Sequence, residues 1–148
     1  MRTIDGVRRS GVGVRPDETI HAAATLMDQA GVGSLAVLDG DELVGIVTDR
    51  DLVRRGLARG LAPDARIDGV MSAPVVTISA DSDLHAAYAV FAQHALRRLA
   101  VVQGDRFVGM LTIDDLLVDL AGHLSDLVRP VTAEVLFGHR DSPVPAIT

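Results

Sequence analysis

The chain of 148 residues has no cysteine, no tryptophan, one tyrosine and three phenylalanines. Without thiols there is no disulfide frame, no cysteine nucleophile and no thiolate metal site. Lysine is missing as well, all 14 basic residues being arginine. Schiff-base chemistry and the GK[ST] phosphate loop both need a lysine ammonium and are excluded. Asparagine is also absent, and its loss with lysine beside abundant Ala and Arg fits a GC-rich coding bias. No apolar run approaches the ~18 residues of a membrane span. The opening MRTIDGVRRS lacks the apolar stretch of a signal peptide. A cytoplasmic protein without a membrane role is expected. Positive charge is in deficit too: the net charge of −6 argues against nucleic acid as a partner.

What is present is a duplicated pattern. The chain is 48% hydrophobic and 23% charged, enough for a packed aliphatic core. Sliding the sequence by 64 positions aligns residues 14–53 with 78–117 without a gap. Asp17/Asp81, His21/His85, Leu35/Leu99, Gly40/Gly104, Gly45/Gly109, Thr48/Thr112 and Asp51/Asp115 are identical pairs. Ile4-Asp5-Gly6-Val7 recurs as Ile67-Asp68-Gly69-Val70, displaced by 63.

Each copy predicts the same elements. A short strand (residues 11–14; 75–78) precedes a helix capped by Thr19 or Asp83. Ile20, Ala23, Ala24 and Met27 keep helical spacing, with Gly31 as the stop. Two apolar runs (35–38 and 43–47; 99–102 and 107–111) flank Asp-Gly or Gly-Asp turns and read as hairpins. A second helix follows Thr48 or Thr112. The fold class is therefore α/β, as two tandem β-α-β-β-α repeats packed about a pseudo-two-fold axis. A unit of ~60 residues buries too little surface alone, so the two share one core and leave related clefts between them. The boundaries are residues 3–60, 61–122 and a C-terminal extension, 123–148. In the extension, residues 124–128 prolong the last helix, Pro130 stops it, and 131–137 form a strand.

The sharpest element is GIVTDRD (45–51), repeated as GMLTIDD (109–115). Glycine late in a strand marks the close approach of a ligand or of another backbone. Thr and Asp three apart at a helix start suit a nucleoside, since a carboxylate accepts hydrogen bonds from both hydroxyls of a ribose. The same Thr-x-x-Asp also writes a capping box that needs no ligand. Recurrence behind a glycine in both copies favours binding.

This duplicated pattern resembles a pair of CBS domains, the Bateman module, over about residues 3–122. The resemblance implies an adenosine-containing ligand such as AMP, ADP or ATP, bound in the clefts and required by no catalysis. It implies ribose contacts by Thr48 and Asp51 and by Thr112 and Asp115. It places adenine against the first strands, at Val12 and Val14 and at Val76 and Ile78. It implies dimerisation through the helices. Val70-Met71 and Pro74 match the family's usual lead into that strand, whereas copy one has Val7-Arg8 and Gly11 there. For phosphates, Arg50 in copy one contrasts with Asp114 in copy two, so cleft one should accept the longer chain. Arg98, just before the middle strand of copy two, is the other phosphate candidate by resemblance.

The remaining features read as ordinary surface. His21 and His85 lack further ligands for a metal. The strip Arg50, Arg54, Arg55 and Arg59 reads as a solvated helix face with local ion pairs. No activated nucleophile or convergent acid/base set appears, so the expected function is a non-catalytic adenosine-ligand sensor acting on an effector protein. A constitutive dimeric adaptor, and a binder of S-adenosylmethionine or NAD, are the alternatives.

Overall fold

The structure, a computed structural model, describes residues 3–136, with side chains through Arg129. Copy one contains β1 (Gly13–Val14), α1 (Ile20–Ala30), β2 (Ser34–Asp39), β3 (Glu42–Thr48) and α2 (Asp49–Asp51). From α2 the chain continues as a π-helical turn, Leu52–Gly56, and a 3-10 turn, Leu57–Arg59. Copy two contains β4 (Thr77–Ser79), α3 (Leu84–His94), β5 (Arg98–Gln103), β6 (Arg106–Thr112) and α4 (Ile113–Leu136).

Local signals set these elements as expected. The Thr19 hydroxyl accepts from Ala22 N–H at 3.0 Å and the Asp83 carboxylate from Ala86 N–H at 2.9 Å, so both first helices start on side-chain caps. Gly40 and Gly104 take φ of +63° and +60° in the two hairpin turns, a conformation that costs glycine least. Each sheet has three strands, the first parallel to the second and the second antiparallel to the third. Both hairpins break register at the same place, between Val37 and Leu38 and between Val101 and Val102. The duplication is thus structural down to its irregularities.

The first strands are shorter than the sequence suggests. Val75 and Val76 lie ahead of β4, and residues 11 and 12 ahead of β1.

The segments preceding the first strands are exchanged between copies. Ile4–Gly6 and Ile67–Gly69 form matching 3-10 turns. Ile4 N–H donates to Ser82 O at 2.9 Å, in copy two, and Ile67 N–H donates to Glu18 O at 2.9 Å, in copy one. Further along, Arg9 pairs with Met110 and Ser72 with Ile46 as isolated antiparallel bridges. Ile67 and Val70 thereby enter the core of copy one, with Ile20, Met27, Leu35, Val37, Val47 and Leu52. Ile4 and Ile67 are both wholly buried. This reciprocal pairing gives the pseudo-two-fold relation its physical content, since each copy lends the other a backbone segment and a buried isoleucine.

The helix α4 departs from expectation. Pro130 does not end it, and residues 131–136, expected as a strand, are helical. Proline removes one N–H and crowds the carbonyl four residues back, but a helix already formed adds one hydrogen bond for each further residue. A new strand would instead have to find an open sheet edge. Phe137, the end of the expected strand, and residues 138–148 lie outside the described residues. Within α4, Asp115 and Leu116 are buried, whereas Leu117, Leu120, Leu124 and Leu127 are exposed.

Candidate functional site

The site is built where β3 ends. Thr48 caps α2: its hydroxyl accepts from Asp51 N–H at 3.1 Å, and Asp51 Oδ2 accepts from Thr48 N–H at 3.0 Å. The capping-box reading of Thr-x-x-Asp therefore holds in copy one. It leaves chemistry unspent, because a carboxylate has lone pairs on both oxygens and the Thr48 hydroxyl keeps its own proton. The second oxygen, Asp51 Oδ1, lies 3.9 Å from Arg55 Nε. Arg55 in turn donates to Met71 O at 3.1 Å and more weakly to Val70 O at 3.5 Å. One guanidinium thus links the carboxylate to the segment exchanged from copy two.

That segment brings the second wall. The bridge between Ile46 and Ser72 lays residues 72–76 beside the end of β3. Between them opens a cavity of about 240 Å³, with Ile46 and Thr48 on one side and Ser72, Pro74, Val75 and Val76 on the other. Leu96, Arg97 and Arg98 complete it from the start of β5. Its lining is apolar except at Thr48, Ser72 and the two arginines. Such a cavity suits a flat apolar ring with a hydroxylated linker and an anionic end.

The glycine of the motif is explained by backbone rather than by ligand. A Cβ on Gly45 would collide with Met71 Sδ and stand 3.2 Å from Ser72 O. On Gly109 it would collide with Arg9 O, the equivalent atom of the other exchanged segment. Only glycine lets the exchanged segment lie this close to the third strand.

The structure brings together three of the residues singled out from the sequence, Thr48, Val76 and Arg98, with Asp51 held to Thr48. It does not gather the rest there. Arg50 is exposed and outside the cavity lining, its N–H held by Asp49 Oδ1 at 2.7 Å. Val12 packs against the copy-one core. Val14 borders a separate open depression with Arg15, Asp17 and Arg66. Ile78 is buried within β4 opposite Val101. Thr112 ends β6, and Asp115 is a buried residue of α4.

The copies also differ in their walls. The counterpart of Val75 is Gly11, where a Cβ would collide with the Phe107 ring. Leu43 is the counterpart of Phe107, so a large ring replaces the missing valine side chain. Sequence reasoning passed over Ser72 and Leu96. Only the exchange brings Ser72 to β3, and no local motif marks it.

Against known proteins, the CBS domain family profile matches this chain twice, over residues 7–58 and 67–122. The chain belongs to the CBS domain family. The CBS pair is 37% identical over 106 residues to the CBS domain-containing protein YhcV of Bacillus subtilis, covering 72% of this chain and 76% of that one. It is 33% identical over 126 residues to Hypoxic response protein 1 of Mycobacterium tuberculosis, covering 83% and 88%. A crystal structure of Hypoxic Response Protein I, described with two coordinated zinc ions, superposes with a TM-score of 0.70 at 33% identity, over 78% of this chain and 97% of that one. Among the described residues of the CBS pair, no group of three or more His, Asp or Glu could hold such an ion. A crystal structure of CBSX2 in complex with AMP shares the fold, with a TM-score of 0.69 at 20% identity over 82% of this chain and 98% of that one. No helix among the described residues is long and apolar enough to cross a membrane.

Proposed function

We propose that this CBS pair is a non-catalytic regulatory module that binds an adenosine-containing ligand of the AMP, ADP or ATP class in the cleft at Thr48. One observation carries the reading: the cavity sets Thr48, with Asp51 bonded to it, the apolar wall of Val75 and Val76 and the side chain of Arg98 around a single space. In this reading the adenine packs on the valines, the ribose hydroxyls donate to Asp51, and the phosphate meets Arg98. The volume of about 240 Å³ matches the nucleoside portion, leaving phosphates at the arginine rim. The AMP complex of CBSX2 supports this ligand class. Because the lining comes from both copies, binding biases their mutual angle, and that bias is the signal passed to an effector protein.

Two-fold self-association forms part of the proposal. Val53 on the π-helical turn and Leu117 on α4 hold repeat-equivalent positions and are 55% and 57% exposed. An exposed apolar position duplicated by the repeat suits an isologous contact with a second copy.

A second reading, a constitutive dimeric adaptor with empty clefts, draws on the fact that the capping box is complete without a ligand. S-adenosylmethionine or NAD would use the same ribose and ring contacts. A thermal-melting screen against adenosine, AMP, ADP, ATP, S-adenosylmethionine and NADH separates these, with an Asp51→Asn variant alongside. A ligand at ~100 times its dissociation constant adds about 2.7 kcal/mol, a shift of several degrees. The shift is expected for the wild type and lost in Asp51→Asn. No shift with any compound sinks the sensor reading in favour of the adaptor.

A further inference from the structure

Arg98 and Asp49 meet at Gly33. A Cβ on Gly33 would stand 3.2 Å from Arg98 Nη2 and 3.1 Å from Asp49 Oδ2. The two charged atoms are therefore at most about 6.3 Å apart, a separation at which unit charges feel each other even in water. Asp49 is fixed in place from both ends. Its N–H donates to Gly33 O at 3.0 Å, and its Oδ1 accepts from Arg50 N–H at 2.7 Å. That arrangement leaves Oδ2 directed to the Gly33 corner. The Arg98 guanidinium has no hydrogen bond or ion pair among the described residues. It lines the cavity while its tip lies at Gly33, beyond the lining residues.

We infer that Asp49 limits the phosphate chain, so that the cleft gains no affinity from the second and third phosphates of a nucleoside triphosphate. The inference rests on the nucleotide reading above and deepens it. A first phosphate inside the cavity meets Arg98 and is neutralised by it. A longer chain follows the arginine toward Gly33 and places its added charges beside the Asp49 carboxylate. Two added negative charges at about 6 Å from a carboxylate, in water-like surroundings, lose about tenfold in affinity relative to the same site with a neutral residue at 49, which offsets what the nearby Arg98 would otherwise give them. The sequence pattern, which pointed to Arg50 and long phosphate chains, is here replaced by its neighbour with the opposite charge.

Calorimetric titration of the full chain with adenosine, AMP, ADP and ATP, without divalent cations, tests the idea. Wild type, Asp49→Asn and Arg98→Gln are compared at fixed ionic strength. The wild type should bind ATP no more tightly than AMP. Asp49→Asn should tighten ATP about tenfold and leave AMP within about threefold, while Arg98→Gln brings AMP down to the level of adenosine. Wild-type binding of ATP about tenfold tighter than that of AMP overturns the inference, as does an Asp49→Asn variant with an unchanged AMP-to-ATP ratio. Adenosine binding would still stand in either case, keeping the nucleotide reading. Failure of all four compounds to bind the wild type removes that reading, and the inference with it.

Discussion

Replacing Ile67 by alanine tests the exchange of segments most directly. Ile67 lies ahead of β4, in the stretch between α2 and the second sheet, yet it is wholly buried in the copy-one core. Truncation to alanine removes three carbons, worth about 0.8 kcal/mol each in transfer free energy. The residual cavity adds to this, because Ile20, Leu35 and Val37 sit on formed secondary structure and cannot close in fully. The expected cost is about 3 to 4 kcal/mol, within the usual range for a buried Ile→Ala change. Urea denaturation followed by circular dichroism measures it, and a chain of this size should lose about 2–4 °C of Tm for each kcal/mol. Ile4→Ala, its counterpart in the core of copy two, should cost a similar amount. Leu61→Ala, in the same link but partly exposed, should cost less than half as much. An Ile67→Ala protein within 1 kcal/mol of wild type would refute the exchanged packing, since a true linker residue leaves no cavity.

Two further outcomes follow from the same geometry. Gly45→Ala should destabilise the protein by about 1–3 kcal/mol, because its Cβ meets Met71 and the backbone oxygen of Ser72. Met71→Ala in the same chain should restore only part of the loss in a denaturation series, the Ser72 carbonyl remaining in the way. At acid pH, the ion pair of Arg66 and Asp68 at 2.8 Å holds the Asp68 carboxyl below the ordinary carboxylate range through its hydrogen bond from Arg66. A carboxyl lowered in the folded state contributes stability that is full above its unfolded pKa and lost as pH falls through the folded one. Asp68→Asn should therefore lower Tm slightly at neutral pH and converge with the wild type at acid pH, flattening the acid limb by that small amount, the pair being largely exposed.

Much of the fold was legible because it is local and written twice. The offset of 64 residues marked both hairpins, and the caps at Thr19 and Asp83 are side-chain chemistry acting three residues ahead. The exchange was not legible. An Ile-Asp-Gly-Val turn buries its isoleucine equally well in either copy, and sequence periodicity does not say which. The glycines at 45 and 109 carried the hint, since a bare strand position asks for another backbone, but ligand and backbone leave the same mark. Residues 131–136 misled for a related reason: alternating apolar residues fit a strand only where a sheet edge awaits them. At the site, Thr48 and Asp51 were found by a motif that serves capping and binding alike. The approach of Asp49 to Arg98, 49 positions away, was not legible either, because no local pattern joins the two.

The exchange also decides what a ligand in this cleft can do. Thr48 stands on β3 of copy one, whereas Val75, Val76 and Arg98 belong to copy two. Were the copies packed by side chains alone, a bound molecule would pull on two loosely joined bodies. Here the Ser72 backbone is already bonded to Ile46 in both directions, N–H to O at 2.8 Å and 3.0 Å, directly beneath the cavity. Arg55 ties the preceding carbonyls to the Asp51 corner. A hinge between the copies must accordingly pivot about this backbone bridge and its partner at Arg9 and Met110, not slide across it. Ligand binding shifts such an equilibrium only by the difference in its affinity for the two arrangements. With contacts on both sides of the pivot, that difference comes from the distance between Arg98 and the Thr48/Asp51 corner. If the ligand is a nucleotide, as proposed, its phosphate end has the greatest leverage, and a nucleoside lacking it should bind with little change in shape.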